Sequence, residues 1–147
     1  MQGEHRILNQ TIELSTTGEC DIHDLTGEIQ RRLDEAGIID GQALVFVPGA
    51  TGGLTTTEHE PGLLRDLPEF FERIVPKGAH YHHEDTWHDG NGHSHVRASL
   101  LGPSLVVPVV DGRMTLGTWQ QIIFIDFDNR PRQRSVVLQL SGVGASG

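Results

Sequence analysis

Apolar positions along the chain change period several times. Ile12 and Leu14 alternate with polar neighbours, the two-residue period of a strand with one covered face. Leu25, Ile29 and Leu33 then recur every four residues. That stripe predicts a helix running to about Ala36, with Asp21 as its cap and Gly37 as its stop. Gly27 weakens it by roughly 1 kcal/mol relative to alanine. Ala43 to Val47 is a short apolar run closed by Pro48-Gly49, and Leu54 to Thr57 reads as a further strand. Pro61 opens a second predicted helix, with Leu63, Leu64, Leu67, Phe70, Phe71 and Ile74 on its buried side. Pro68 is expected to kink or split it, and Pro76 to end it.

Beyond Pro76 comes a histidine-rich stretch read as a loop, and then the pattern turns to β. Leu105 to Val110 is continuously apolar, and Asp111-Gly112 is a type I′ hairpin signal with Met114 and Leu116 beyond it. Ile122 to Phe127 and Val136 to Leu140 are two more predicted strands, separated by the turn Asn129-Arg130-Pro131. Four final strands without intervening helices exclude a doubly wound parallel sheet. The expected fold is α+β: a mostly antiparallel sheet or sandwich with two helices packed on it.

The 147 residues suit a single domain spanning 1–147, with a flexible Gly/Ser tail over 142–147. Twenty acidic against eleven basic residues give a net charge of -9, a field that repels phosphate backbones and anionic lipid. No nucleic acid or membrane partner is therefore expected. A small anionic ligand is still open to a local cluster of histidine, arginine or metal. The single cysteine, Cys20, and the absence of an apolar leader or span make the cytoplasm the expected location.

Six of the nine histidines, namely 80, 82, 83, 88, 93 and 95, fall in one short segment. Imidazole ligates transition metals and titrates near neutral pH, so the segment suits metal binding, acid/base work or phosphate contact. A solvated polar loop with adventitious metal affinity is the plainer alternative. His93 and His95 are two apart, and on a strand both would lie on one face and could share an ion. Pro48 to Gly53 could cradle an anion with backbone amides, but it matches no phosphate-loop pattern and reads first as a turn. Glu58 could be a ligand or base, or simply favour a helix start. Trp119, between Thr118 and Gln120, offers either a stacking face or core packing.

Four stretches together resemble the YjbQ family, often labelled secondary thiamine-phosphate synthase. They are Pro48 to Glu58, Asp89-Gly90-Asn91 through Gly102-Pro103-Ser104, Gly117-Thr118-Trp119-Gln120, and Asp126-Phe127-Asp128 with Arg130-Pro131-Arg132. The likeness runs from about Ala43 to Gly142 and is most specific from His95 to Gly102 and in the Gly-Thr-Trp-Gln run. It implies a compact α+β protomer that assembles as a homotrimer around a site for a divalent metal ion, zinc or magnesium/manganese. It also implies formation of thiamine phosphate from a pyrimidine pyrophosphate and a thiazole phosphate.

Carried over by residue, the resemblance gives Glu58 and His95 catalytic roles, and Arg97, where lysine is usual, a contact to phosphate. Thr118, Trp119 and Gln120 become ligand contacts. His83 and His95 become metal ligands, joined by His93 on spacing. The chain also departs from the pattern. The usual His-Thr-Thr is Gly49-Ala50-Thr51, the usual Asn-Glu is Thr57-Glu58, and a following aspartate falls at about Pro61. Two readings follow: a metal-assisted enzyme on small phosphorylated heterocycles, or a divergent, non-catalytic trimeric metal- or ligand-binding protein.

Overall fold

The structure is a computed structural model that describes residues 3–145. Its elements in chain order are β1 (His5–Thr16), β2 (Asp21–Asp24), α1 (Thr26–Ala36), β3 (Ile38–Phe46), β4 (Gly52–Thr57), α2 (Pro61–Ile74), α3 (His83–Trp87), α4 (Gly92–Leu101), β5 (Ser104–Val110), β6 (Arg113–Met114), β7 (Gln121–Asp126) and β8 (Arg132–Gly144). The strands form a five-stranded sheet, β1-β8-β3-β5-β6, and a three-stranded sheet, β2-β7-β4. Every pairing is antiparallel.

Alternation along β7 explains how the layers stack. Ile122 and Phe124 point between the two sheets and join a core with Val45, Val107, Leu138 and Leu140. Ile123, Ile125 and Phe127 point the other way, into a second cluster with Phe71 of α2 and Ala98 of α4. A strand buried on both faces reads as an unbroken apolar run, which is how it appears in the sequence. Helix α1 seats Leu25, Ile29 and Leu33 in the first core, and Gly37 closes it in the left-handed conformation (φ 68°), as the stripe predicts. The turn Asp111-Gly112 has positive φ at both residues (51° and 77°), the type I′ geometry.

Several expectations need correction. Asp21 begins β2 instead of capping a helix, and Asp24 Oδ1 accepts the Thr26 N–H at the start of α1. Helix α2 is continuous through Pro68, and the side chain of Glu60 caps it by accepting from the N–H groups of Gly62 and Leu63. Its Phe71 is buried, whereas Phe70 and Ile74 are nearly half exposed. There are four helices among the described residues, not two, because the histidine stretch folds as α3 and α4.

The expected tail is β8 as far as Gly144, while residues 146–147 lie outside the described residues. Gly142 pairs with Gly41 of β3. A Cβ on Gly41 would lie 2.0 Å from the Ser141 carbonyl oxygen, and one on Gly142 would lie 2.2 Å from that of Asp40. Two backbones this close admit only glycine.

The seam between the sheets holds buried charge. Asp126 is fully buried and accepts from Arg134 Nε (2.8 Å), from Arg134 Nη2 (2.9 Å) and from the Thr16 hydroxyl (2.6 Å). Because Arg134 is on β8 and Thr16 on β1, the pair joins one sheet to the other. Removing one partner of a buried, hydrogen-bonded ion pair costs about 3–5 kcal/mol. Arg134→Ala is therefore expected to lower the unfolding free energy by about that much in urea titrations. A loss under about 1 kcal/mol would mean that the sheets are held together by apolar contact alone.

Candidate functional site

Helices α3 and α4 meet at a turn, and three metal-type side chains converge there. One ligand atom from each of His83, Asp89 and His95 lies within 4.8 Å of the other two. The His83 and His95 rings stand 4.3 Å apart, tilted by 38°. His83 Nδ1 is buried and finds no hydrogen-bond partner among the described residues. It sits 3.5 Å from Asp89 Oδ1 and 3.6 Å from Glu84 Oε1, both beyond a hydrogen bond. An imidazole nitrogen aimed at carboxylates it does not bond fits the donor set of a cation.

Burial holds the His95 imidazole below its usual pKa, and the neighbouring His83 adds to the effect. Both favour the neutral ring that a metal requires.

The turn itself is built by Glu84. Its carboxylate accepts from the backbone N–H groups of Gly90 (2.6 Å) and Gly92 (2.9 Å), and these bonds keep its pKa below the usual glutamate range. Asn91 precedes α4 and ties it to the buried seam. Its side-chain amide donates to Asp128 Oδ1 (3.3 Å), and its carbonyl oxygen accepts from Ser94 (2.7 Å) and from the N–H of Asn129 (3.0 Å). Burial by itself would raise the Asp128 pKa, but hydrogen bonds from Asn91, Thr51 and Arg132 hold it below the usual value.

An open cleft of about 370 Å³ lies beside the cluster and shares His95 with it. Its walls include Gly49, Ala50, Gly52, Ser99 and Pro103. The glycine-rich turn is thus one wall of a cleft, pinned from below by Thr51, which donates to Asp128 (3.0 Å) and accepts from Arg134 (2.7 Å). Gly49 has φ +114°, and a Cβ there would stand 3.2 Å from Arg134 Nη1. The backbone at this point suits glycine and no other residue.

The remaining candidates lie elsewhere. Two residues on a helix are about 200° apart, so His93 and His95 face opposite sides of α4. His93 is buried, with its ring 6.4 Å from that of Tyr81, and does not join the cluster. Arg97 is buried too, its guanidinium donating to the Val75 carbonyl (3.0 Å) and to Glu72 (2.8 Å) at the end of α2. Glu58 is exposed between β4 and α2.

Trp119 is 72% exposed, which rules out core packing. Gln120 donates to Thr56 (3.0 Å) and lines a second cleft, of about 300 Å³, with Pro108 and Leu116. Asp89 and Glu84 were not among the residues expected from sequence. Asp89 carries a signal as the start of a family-like stretch, whereas Glu84 is marked only by its place among the histidines.

Fold and site together define a class: two antiparallel sheets in which helices carry an imidazole–carboxylate cluster at one end of the seam. The chain belongs to the YjbQ-like UPF0047 family, whose profile matches residues 10–143. A UPF0047 protein of Archaeoglobus fulgidus is 41% identical over 128 residues, covering 87% of this chain and 97% of that one. YugU of Bacillus subtilis, also a UPF0047 protein, is 36% identical over 135 residues, covering 90% and 98%. The crystal structure of a YbjQ-like protein of unknown function from Sulfolobus solfataricus superposes with a TM-score of 0.89 at 27% identity, covering 95% and 99%. Among the described residues no helix is long and apolar enough to cross a membrane.

Glu84 shapes the turn that presents Asp89 without belonging to the three-residue cluster. A hydrogen bond to a charged acceptor is stronger than one between neutral groups. Glu84→Ala is accordingly expected to speed amide hydrogen exchange at Gly90 and Gly92 by at least about 10-fold, with the far-ultraviolet circular dichroism preserved. Unchanged exchange would show that the turn holds its shape without this carboxylate.

Proposed function

We propose that this protein is a metal-dependent enzyme acting on a small phosphorylated heterocycle. His83, Asp89 and His95 would hold a divalent ion, and the adjoining cleft would receive the ligand. The observation that carries the reading is the unpartnered, buried His83 nitrogen facing a second imidazole and a carboxylate. Two nitrogens and one oxygen suit zinc or manganese better than magnesium, which prefers an all-oxygen shell. The candidate reaction is the one the family resemblance suggests, in which a thiazole phosphate displaces pyrophosphate from a pyrimidine pyrophosphate.

The ion would supply charge neutralisation for the departing pyrophosphate. Exposed backbone at Gly49 and Ala50 and the Ser99 hydroxyl give the cleft further polar groups. The cytoplasm is the location consistent with a lone, unpaired Cys20.

A specific observation favours the second reading, a non-catalytic binder. Neither Glu58 nor Arg97 joins the metal cluster, and nothing at Gly49 can act as an acid or base. Elemental mass spectrometry on untagged protein tests the metal. Near-stoichiometric zinc or manganese is expected in the wild type, falling at least about 10-fold in His95→Ala, and a metal-free wild type would sink both metal readings. Thiamine phosphate formed by the loaded protein separates enzyme from binder.

We also infer a homotrimer. Support comes from the resemblance and from the large sheet, where Phe46, Val106 and Val110 are 40–53% exposed. Light scattering at micromolar concentration is expected to give three times the 16.2 kDa chain mass; a monomer would contradict the assembly.

A further inference from the structure

A second group of metal-type donors converges on the solvent side of α3, outside the cluster around His95. His80, His82 and Asp85 each present one ligand atom, all within 4.8 Å of one another. The arrangement follows from local structure. His82 immediately precedes α3, and Asp85 lies three residues on, where a helix brings side chains to one face. His80 reaches the same point from the irregular stretch before the helix.

The His82 side chain makes no capping hydrogen bond. Its Nδ1 stands 3.6 Å from Asp85 Oδ2, too far for a hydrogen bond. The His80 and His82 rings meet edge to face with centroids 5.4 Å apart. All three residues are exposed.

We propose that His80, His82 and Asp85 form a second divalent transition-metal site, separate from His83, Asp89 and His95. Two imidazoles and one carboxylate are a donor set for zinc, nickel or copper, with water completing the shell. Metal–ligand bonds of about 2.0–2.1 Å in a tetrahedral shell place neighbouring donor atoms about 3.4 Å apart. The 3.6 Å between His82 and Asp85 is already close to that value, and rotation of one exposed side chain brings His80 in.

Exposed side chains lose rotamer freedom on binding and leave the ion open to water, so this site is the weaker and faster-exchanging of the two. An ion bound there ties the stretch before α3 to its first turn. His83, the next residue along, is thereby steadied from outside. The inference stands independently of the assignment made for the His95 cluster.

The test is calorimetric titration of metal-free, untagged protein with nickel and with zinc. Two classes of site are expected in the wild type. His80→Ala/His82→Ala loses the weaker class, about one ion per chain, and keeps the tighter one, while His95→Ala does the reverse. Both substitutions in the pair are at exposed positions, and circular dichroism with thermal melting verifies that the fold is kept. His88→Ala, an exposed imidazole outside the group, leaves the count at two.

An unchanged ion count in His80→Ala/His82→Ala overturns the proposal, as does an equal loss in His88→Ala. A single class that disappears with His80 and His82 would support this site and refute the one at His95.

Discussion

A carboxylate removed from water destabilises the folded chain by several kcal/mol unless cations and hydrogen-bond donors surround it. This protein removes two, Asp126 and Asp128, at the end of the strand that runs through both apolar clusters. Their partners come from several parts of the fold, two of which, the glycine-rich turn and the start of α4, border the candidate site. Thr16 comes from β1, Thr51 from the glycine-rich turn, Asn91 from the start of α4, and Arg132 and Arg134 from β8. Satisfying these two groups fixes where the turn and the helix sit relative to each other. The cleft and the His83–Asp89–His95 cluster occupy the space left between them.

The sheets were largely legible in the sequence, because β-structure here is written in short-range patterns. Ile122 to Phe127 is apolar on both faces since both faces are covered, and Asp111-Gly112 carries its own turn geometry. The helices around the site were not legible, for a physical reason. Helix α3 has five residues, too few for any period, and α4 buries Gly92, His93, Ser94, Arg97 and Ala98 in place of a stripe of leucines. A helix whose buried face is small and polar resembles a loop in any reading based on hydrophobic spacing. Pro68 misled in the opposite direction: one missing N–H did not break α2, since the capping by Glu60 and the packing of Phe71 hold it.

The error in period carried into the chemistry. The histidine stretch reads as a loop in which a strand would set His93 and His95 on one face; on α4 they are separated, one packed inside and the other turned towards His83. Arg97, four residues on, lies on the same side as His93, and its guanidinium ties α4 to the end of α2. The family resemblance assigned His83 and His95 to one metal site, and in the fold their rings stand 4.3 Å apart. It included Asp89 in a matching stretch without giving it a role, and it left out Glu84, whose part depends on the fold of a turn and not on residue type. Nor could it show that the backbone at Gly49 has settled into a left-handed conformation that only glycine adopts easily.

The strand pairing has a consequence for how the chain is made. β1 has β8 as its one neighbour, with His5 opposite Val143, and β3 is central only once β8 lies beside it. Contacts this distant in sequence require closing nearly the whole chain into a loop before they repay the lost freedom, which slows folding. During synthesis β1 and one edge of β3 must wait for β8 to leave the ribosome, although β5 can already pair with the other edge of β3. Their open edges are then exposed to other nascent chains, so the interval before β8 emerges is when this protein is most in need of a chaperone.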